Sequence, residues 1–455
     1  MSCRSRRAHH GRARAGLVTY WCEFAWLPTG VARNVRIDIE DGRVTDVRPD
    51  QPAGSSTPLR GITVPGFANT HSHAFHRALR GRTHSDGGTF WTWRERMYHV
   101  AAQLNPDNYL ALARATYAEM ALAGVTSVGE FHYVHHQPDG TPYADPNAMG
   151  RALQQAAREA GIRLTLLDTC YLAGGLTADG HQPLGPQQRR FGDGDVDGWI
   201  ARAGQLRPDE GFRVGAALHS VRAVPAEQLR RAAEVIDPTW PVHAHVSEQP
   251  AENTASLAFY DRTPVELLHQ TGLLTERFTA VHATHLTSRD IALLAQADAV
   301  ASFCPTTERD LADGIGPAKA LYDNGVRISL GSDQHAVIDL LEDARAVELH
   351  ERLTSHERGR FAPADLMAMA TRHATIGWPE AGAIAPGAAA DLVTIALDTP
   401  RTAGADPAQI ITCATAADIR SVIRDGEPVV TDGRHHLGDI GGLLHDAIAP
   451  FWEDV

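Results

Sequence analysis

Short apolar runs alternate with segments of helical length between about residue 62 and about residue 335, and this alternation restricts the possible folds more than any other feature. The runs with strand composition are ITVPGFA, VTSVGEF, RLTLLDT, RVGAALH, WPVHAHV, FTAVHAT, AVASFCP and VRISLGS. The segments between them have apolar residues at helical spacing, and two of them end on Gly124 and Gly161, as helix C-terminal caps do. Eight strand–helix units over about 270 residues predict an α/β fold with a distorted TIM (β/α)8 barrel, and a doubly wound open sheet is the alternative.

The two ends of the chain have a different pattern, in which short alternating strands are separated by Asp-Gly turns. Such turns are typical of β-hairpins. We therefore predict that residues 17–63 and 382–455 together form one small β-sandwich domain beside a barrel of residues 64–381. Residues 1–16 contain five arginines, and we predict that they form a disordered basic tail.

Charge and hydropathy argue against several kinds of partner. The formal net charge of −13 is unfavourable for neutralising phosphates, so nucleic-acid binding is not expected. No uninterrupted apolar run approaches the roughly 20 residues that cross a bilayer, so we expect no membrane contact.

The five cysteines are scattered and form no CxxC pair, which indicates reduced thiols. Because the start of the chain has no apolar signal segment, we expect a cytoplasmic protein.

Polar side chains occur at the C-terminal ends of six of the eight predicted strands. In a (β/α)8 barrel these ends surround the active site, so residues from distant parts of the sequence meet there. The polar residues at these positions include His71, His73, Glu130, His132, Tyr133, His219, Arg222, His243, His245, Glu248, His282, His285 and Asp333. A random scatter of 24 histidines would seldom recur in this way, so the set predicts an active site although any single histidine could be structural.

Two of these histidines, His71 and His73, have the spacing of metal ligands at the end of one strand. Side chains at positions i and i+2 point the same way, so both imidazoles can bind one ion. With His245 and Asp333 they form a set of nitrogen and oxygen donors that contains no sulfur. Such a set suits zinc, with iron or manganese as alternatives, and a catalytic ion also keeps a position for water.

This arrangement of histidines and an aspartate after strands one, five, six and eight resembles the amidohydrolase superfamily of metal-dependent hydrolases. The C-terminal segments GAIAPGAAADLVTI and VIRDGEPVVTDGR extend the resemblance over nearly the whole chain. The resemblance implies a homodimer with one metal ion per subunit. The ligands that it implies are His71, His73, His245 and Asp333.

The resemblance also distinguishes histidines that the residues alone leave equivalent. His243 and His245 lie two positions apart in strand five, and His282 and His285 both lie near the end of strand six. The family pattern implies that His245 is the ligand and that His282 is the active-site residue.

The lysine content bears on the number of metal ions. Many relatives bind two ions that are bridged by a carboxylated lysine at the end of strand four. In this chain the single lysine, Lys319, lies between predicted strands seven and eight, and strand four ends at His219. A mononuclear site is therefore predicted, as in the deaminase branch of the superfamily, and a pair of ions bridged by glutamate or cysteine is the alternative.

Glu248 lies in the segment HVSEQ, an HxxE arrangement that deaminases of this superfamily use for proton transfer. By this resemblance, Asp333 takes a proton from a zinc-activated water and His282 orients and polarises the resulting hydroxide. Glu248 then protonates the leaving nitrogen. These roles agree with the chemistry, because hydrolysis of a C=N bond needs a hydroxide, a base and an acid for a poor leaving group.

Positive side chains near the predicted barrel mouth indicate an acidic substrate. Arg94 lies in FWTWRERMY, and Arg222 follows His219 in HSVRAV. Guanidinium groups match the geometry of carboxylates and bind them through two hydrogen bonds. A small acidic molecule is the expected substrate. Stacking of Arg94 on the neighbouring aromatic residues and packing of Tyr133 at a strand end are the alternative interpretations.

The same segments, together with NTHSHAFHRALRG and GEFHYVHH, resemble a deiminase branch of the superfamily. This resemblance implies hydrolysis of N-formimino-L-glutamate to N-formyl-L-glutamate and ammonia, a reaction of histidine degradation, by attack of water on the formimino carbon. It implies that the glutamate portion is held by His76, Arg94, Tyr133, His219 and Arg222. Members of the branch usually have glutamine at the position of His76, and an imidazole does not reproduce the paired donor and acceptor of an amide.

Two other functions stay open at the level of sequence. One is a deaminase that acts on a guanine, adenosine-like or guanidino substrate, and the other is a non-catalytic relative that uses the barrel as an interaction scaffold. We interpret His132, His135 and His136 as supporting or surface residues. The segment 174–197, rich in glycine, glutamine and aspartate, is predicted to be a lid or a surface loop.

Overall fold

The computed structural model describes residues 16–84 and 90–453. The predicted basic tail, residues 1–16, lies outside the described residues except for Gly16. The strands are β1 Val18–Leu27, β2 Gly30–Glu40, β3 Arg43–Arg48, β4 Thr57–Pro65, β5 Phe67–Ser72, β6 Val125–His132, β7 Arg163–Cys170, β8 Gly175–Thr177, β9 Gly180–Gln182, β10 Phe212–Leu218, β11 Val242–Val246, β12 Phe278–His282, β13 Val300–Phe303, β14 Arg327–Leu330, β15 Leu392–Ile395, β16 Ile419–Arg424, β17 Glu427–Thr431 and β18 Arg434–His435. The α-helices are α1 Phe90–Gln103, α2 Pro106–Leu122, α3 Ala148–Ala160, α4 Val196–Ala203, α5 Ala226–Val235, α6 Pro250–Tyr260, α7 Pro264–Gln270, α8 Ser288–Gln296, α9 Pro305–Asp310, α10 Ala318–Asp323, α11 Leu340–Ser355, α12 Pro363–Ala370 and α13 Ile440–Ile448.

Eight strands form a parallel barrel in the order in which they occur along the chain, namely β5, β6, β7, β10, β11, β12, β13 and β14. The barrel closes between β14 and β5 at the C-terminal ends of these strands. There the amide of Asp333 donates to the carbonyl of His71 (3.0 Å), and the amide of His73 donates to the carbonyl of Asp333 (3.1 Å). The predicted distorted TIM barrel is confirmed, because a doubly wound open sheet has a different strand order and no such closure.

The first barrel strand begins later than the sequence predicted. The run ITVPGFA was interpreted as one strand, but β4 ends at Pro65 in the other sheet, and β5 begins at Phe67. Gly66 makes the crossing between them, and a Cβ atom there would lie 2.2 Å from Oγ1 of Thr126. The predicted boundary between residues 63 and 64 therefore falls inside β4, because a continuous apolar run conceals a change of sheet.

The strands of both chain ends form a second sheet, with the order β3, β2, β1, β4, β15, β16, β17 and β18. Its strands are hydrogen-bonded into one continuous sheet. Buried apolar side chains of these strands form a small core, which includes Cys22, Ile37, Leu392 and Ile423. The Asp-Gly turns at residues 41–42, 425–426 and 432–433 all have positive φ at both positions, as two-residue hairpin turns require. The predicted α/β fold is confirmed, and the structure that both chain ends build beside the barrel is a separate eight-stranded sheet.

The last helix departs from the predicted domain division. Residues 382–455 were all assigned to the domain of the chain ends, but α13 packs on the barrel helix α2. After α13, the indole of Trp452 donates to the carbonyl of Ala78 (3.1 Å), and a ring nitrogen of His99 contacts the carbonyl of Phe451 (2.9 Å). The C-terminal segment thus packs on the outside of the barrel, against α1 and α2.

Among the residues that the structure describes, no helix combines the length and the apolar character needed to cross a bilayer.

Candidate metal centre and active site

The C-terminal ends of the barrel strands surround a cavity of about 260 Å³. Ten of the eleven residues that the sequence analysis assigned to the site line it: His73, His76, Arg94, Tyr133, His219, Arg222, His245, Glu248, His282 and Asp333. The eleventh, His71, is fully buried, and its ring contacts the rings of His73 and His245. The barrel therefore brings together side chains from six strand ends and from α1.

Three imidazoles and one carboxylate converge at the inner end of this cavity. Nε2 of His71 lies 3.2 Å from Nε2 of His245 and 3.3 Å from Oδ1 of Asp333. Nε2 of His73 lies 3.4 Å from the same carboxylate oxygen. His71 and His73 reach one point because they occupy positions i and i+2 at the end of β5. This is the set of donors that the sequence predicted for a metal ion.

The hydrogen bonds behind His73 and His245 leave the Nε2 atoms of these two rings as electron-pair donors. Nδ1 of His73 donates to the carbonyl of Phe131 (2.8 Å), and Nδ1 of His245 donates to the carbonyl of His219 (2.9 Å). Burial lowers the pKa of His71 to about 3 and also lowers the pKa values of His73 and His245, so the rings are neutral. Neutral imidazoles oriented by a carbonyl are the usual form of histidine ligands. The donor set therefore fits a divalent metal ion.

The backbone at two of the strand ends has an uncommon conformation. Asp333 has a φ of 43°, and His282 and Ala283 have φ values of 68° and 50°. Left-handed backbone at non-glycine residues costs about 1–3 kcal/mol and persists where the surrounding structure enforces it, which is frequent at functional sites.

Although burial would raise the pKa of Asp333, His71 and the other nearby imidazoles hold that pKa well below its usual range. Asp333 is thus a carboxylate.

His282 lies among three carboxylates. Its Nε2 is 3.9 Å from Oε1 of Glu248 and 3.9 Å from Oδ2 of Asp333, and its Nδ1 is 3.5 Å from Oε1 of Glu308. Burial would lower the pKa of His282, but Glu248 and the other two carboxylates raise that pKa to about 10. This ring can therefore donate hydrogen bonds toward the cavity.

The two histidines that competed for these positions have other contacts. Nε2 of His243 contacts the carbonyl of Thr375 (3.1 Å), and Nε2 of His285 contacts the carbonyl of Asp313 (2.7 Å). His243 lies two residues before His245 on β11, so it lies deeper in the barrel, farther from the C-terminal end of the strand. Within the described ranges, neither His243 nor His285 lines the cavity.

His76, Tyr133 and Arg94 form a polar and aromatic part of the cavity wall, and the rings of His76 and Tyr133 lie beside that of His73. Nε2 of His76 contacts the hydroxyl of Tyr133 at 3.0 Å. Nε of Arg94 donates to the hydroxyl of Tyr98 (2.9 Å), and its guanidinium carbon lies 5.3 Å from the centre of that ring. Arg94 therefore makes the aromatic contact that the sequence offered as an alternative, and it lines the cavity as well.

Arg222 lies between two glutamates at the side of the cavity. One of its terminal nitrogens donates to Oε2 of Glu248 (3.3 Å), and its Nε lies 3.6 Å from Oε2 of Glu252. The Glu252 side chain is fully buried, and burial raises its pKa. Sequence reasoning missed Glu252, which lies four residues after Glu248 in the first turn of α6 and also lines the cavity.

Sequence reasoning also missed Glu308, which contacts His282. It follows Phe303, the last residue of β13, by five positions, and strand seven is not among the six strands at whose ends the sequence indicated polar residues. A carboxylate shortly after the end of strand seven is the sequence signal that points to it.

Contacts in the structure show where the supporting histidines and the predicted lid or surface loop lie. His132, His135 and His136 are buried, and Nε2 of His136 lies 2.9 Å from Oδ1 of Asp193. The segment 174–197 contains the hairpin β8–β9, and Gly174, Leu176 and Phe191 border the cavity. This segment therefore forms part of the cavity wall.

A model of the Amidohydrolase family matches residues 62–429, a range that includes every strand of the barrel. The chain belongs to the amidohydrolase family. This amidohydrolase is 37% identical to formimidoylglutamate deiminase of Pseudomonas aeruginosa, over 91% of this chain and 95% of that protein. It is 28% identical to 5'-deoxyadenosine deaminase of Methanothermobacter thermautotrophicus, over 90% of this chain and 92% of that protein. The family and its relatives make this amidohydrolase a hydrolase of C–N bonds.

Solved structures agree with this assignment. An amidohydrolase from Brucella melitensis superimposes with a TM-score of 0.86 at 32% identity, covering 95% of this chain and 99% of that one. An adenosine deaminase from Xanthomonas campestris with bound zinc superimposes with a TM-score of 0.80 at 22% identity, covering 96% and 98%, and it shares the fold. The family and the buried donor set together indicate that this amidohydrolase binds a divalent metal ion.

Proposed function

We propose that this amidohydrolase hydrolyses N-formimino-L-glutamate to N-formyl-L-glutamate and ammonia, as a step of histidine degradation. The observation that carries the proposal is one cavity of about 260 Å³ that holds both the buried metal-ligand set and the guanidinium groups of Arg94 and Arg222. A dicarboxylate with a hydrolysable C=N bond matches both ends of such a cavity. The similarity to a formimidoylglutamate deiminase over 91% of the chain supports the same substrate.

We assign His71, His73, His245 and Asp333 to a single ion, zinc by preference, with iron or manganese as alternatives. When bound there, the ion would lower the pKa of a water molecule to about 7 and so supply a nucleophile at neutral pH. A carboxylated lysine is not expected to bridge a second ion, because Lys319 lies in α10 and pairs with Asp323.

We assign the proton transfers to Asp333 and Glu248, with His282 as a hydrogen-bond donor. Asp333 is ionised and accepts a proton from the attacking water, whose oxygen bonds to the formimino carbon. His282 donates a hydrogen bond from Nε2 to that oxygen as negative charge develops on it. Glu248, in its acid form, protonates the imino nitrogen as the water attacks. The proton held by Asp333 then passes to the same nitrogen, the remaining hydroxyl proton returns to Glu248, the C–N bond breaks, and ammonia leaves while N-formyl-L-glutamate remains.

The substrate's carboxylates are assigned to the polar wall of the cavity. Arg94 and Arg222 supply the positive charge, and Tyr133 and His219 supply further hydrogen-bonding groups. His76 takes the place of the glutamine that is usual in the branch, and its Nε2 already contacts Tyr133. We therefore infer that His76 acts on the substrate through the orientation of the Tyr133 hydroxyl.

Product analysis tests the reaction directly. Zinc-supplemented enzyme is expected to release one ammonia for each N-formimino-L-glutamate consumed and to leave N-formyl-L-glutamate, as measured by an ammonia assay and mass spectrometry. Formamide and glutamate as products would contradict the assignment, because they require cleavage of the other C–N bond. Turnover of adenosine-like or guanine substrates, with none of N-formimino-L-glutamate, would favour the alternative deaminase.

The arginine role is tested by Arg222→Met, with the exposed Arg231→Met as the control. Loss of a partly buried charged contact to the substrate costs about 2–4 kcal/mol, so kcat/KM for N-formimino-L-glutamate is expected to fall roughly 30- to 1,000-fold. Arg231 lies on α5 and pairs with Asp197, so its replacement should leave the kinetics unchanged. Equal kinetics of the Arg222→Met variant and the wild type would favour a neutral substrate.

A further inference from the structure

The carboxylate of Glu308 contacts the ring of His282 at the nitrogen that does not face the cavity. Oε1 of Glu308 lies 3.5 Å from Nδ1 of His282, within ion-pair range. The two side chains are 3% and 1% exposed, so water does not screen the contact. Glu308 is absent from the residues that line the cavity, although His282 lines it. Glu308 therefore touches the active-site histidine without reaching the space that a substrate would occupy.

Glu308 is itself held rigidly. It lies in α9, where its Oε1 accepts a hydrogen bond from the amide of Cys304 (2.8 Å) and its own amide donates to the carbonyl of Cys304 (2.9 Å). Cys304 directly follows β13 and is fully buried. The carboxylate is thus fixed to the end of a barrel strand, so its position is set by the fold and not by a flexible loop.

The orientation of the His282 ring determines which groups its second nitrogen, Nε2, faces. Nε2 of His282 is 3.9 Å both from Oε1 of Glu248 and from Oδ2 of Asp333, the two carboxylates to which we assign opposite proton transfers. A rotation of the ring about its Cβ–Cγ bond would turn Nε2 away from both. The left-handed backbone at His282, with φ of 68°, shows that contacts around this residue impose its conformation.

We propose that Glu308 is a positioning residue, which accepts the Nδ1–H of His282 and thereby directs Nε2 into the cavity between Glu248 and Asp333. The inference rests on the proposed function, because His282 matters as the donor to the developing oxyanion. The observed separation of 3.5 Å is long for a hydrogen bond, and such contacts often shorten only in the complex with substrate.

Two variants of Glu308 separate positioning from a structural role. Glu308→Gln keeps an acceptor oxygen at the same place, whereas Glu308→Leu has a similar size and no acceptor. Partners behind an active-site histidine typically contribute about 10- to 100-fold, so kcat of the Glu308→Leu variant is expected to fall by that factor with KM within about threefold. The Glu308→Gln variant should recover most of the loss. Zinc content should stay at one equivalent in both.

Glu348→Gln provides the matched control. Glu348 is also a buried carboxylate on a helix, α11, but it accepts from the amides of Gly359 and Phe361, and within the described ranges it does not line the cavity. Its replacement is expected to lower the melting temperature and to leave kcat unchanged. If Glu308→Leu reproduced this pattern, with lower stability and wild-type kcat, the positioning role would be overturned.

A measurement without substrate keeps this inference distinct from the proposed function. In ¹⁵N-histidine-labelled protein, the His282 signals are identified by their absence from a His282→Gln variant. Wild-type protein should show an Nδ1–H proton that exchanges slowly with solvent, and Glu308→Leu should lose this protection. An unchanged Nδ1–H signal in the Glu308→Leu variant would contradict the proposal, whether or not the enzyme acts on N-formimino-L-glutamate.

Discussion

Removal of the metal ion with a chelator is expected to abolish ammonia release and to lower the melting temperature, and one equivalent of zinc is expected to restore both. The ligand set is buried, and the Nε2 atoms of His71 and His245 lie 3.2 Å apart, close enough to bind one ion. An ion present at about 1,000 times its dissociation constant stabilises the folded state by about 4 kcal/mol, so the loss should be visible in thermal unfolding. Zinc content by mass spectrometry and calorimetry of the same samples give the two readouts.

The chain offers a matched pair of histidines for this experiment. His245→Gln removes a ligand and is expected to reduce bound zinc to less than about half an equivalent. His243→Gln changes the same residue type two positions earlier on β11, where the ring contacts the carbonyl of Thr375, and should keep about one equivalent. A wild-type protein that binds little zinc and unfolds at the same temperature with and without it would favour the non-catalytic scaffold.

The barrel could be predicted from sequence because its strands are buried on both faces and occur in chain order. Each strand is a short apolar run, and the helices between them end on glycines such as Gly124 and Gly161, whose φ values are 84° and 78°. A closed barrel then places all the strand ends in one ring, so polar residues far apart in sequence had to meet. The same reasoning could not find the break at Gly66, because the apolar pattern continues through the change of sheet.

The local sequence pattern does not distinguish a metal ligand from a neighbouring structural histidine. His243 and His245 both face the barrel interior, since they are two positions apart on β11, and only their depth separates a structural contact from the metal-ligand set. Depth depends on where the neighbouring strands end, which is a property of the whole barrel. Glu252 and Glu308 were missed for a related reason, because each lies in the first turn of a helix beyond the strand end, where it contacts Arg222 or His282.

Glu248→Gln is expected to lower kcat about 10²- to 10⁴-fold while zinc content and KM stay close to those of the wild type. An amide has nearly the size of the carboxylate and can still accept the hydrogen bond from Arg222, so substrate binding should be preserved. It cannot deliver a proton to the imino nitrogen, and departure of an amide ion in place of ammonia is strongly unfavourable. Steady-state kinetics of ammonia release, with metal analysis of the same preparation, provide the measurement.

Glu252→Gln is the control that isolates this proton transfer from the charge around Arg222. Glu252 lies 3.6 Å from Nε of Arg222, as a second buried carboxylate beside the same guanidinium, and it makes no ion-pair contact with His282 among the described residues. Its replacement is expected to change KM through the position of Arg222 and to leave kcat within about threefold, because no proton passes through it. An equal loss of kcat in both variants would mean that the Glu248→Gln effect comes from the lost negative charge beside Arg222 and not from a lost proton transfer. If the Glu248→Gln variant alone kept kcat within tenfold of the wild type, another group would have to protonate the leaving nitrogen.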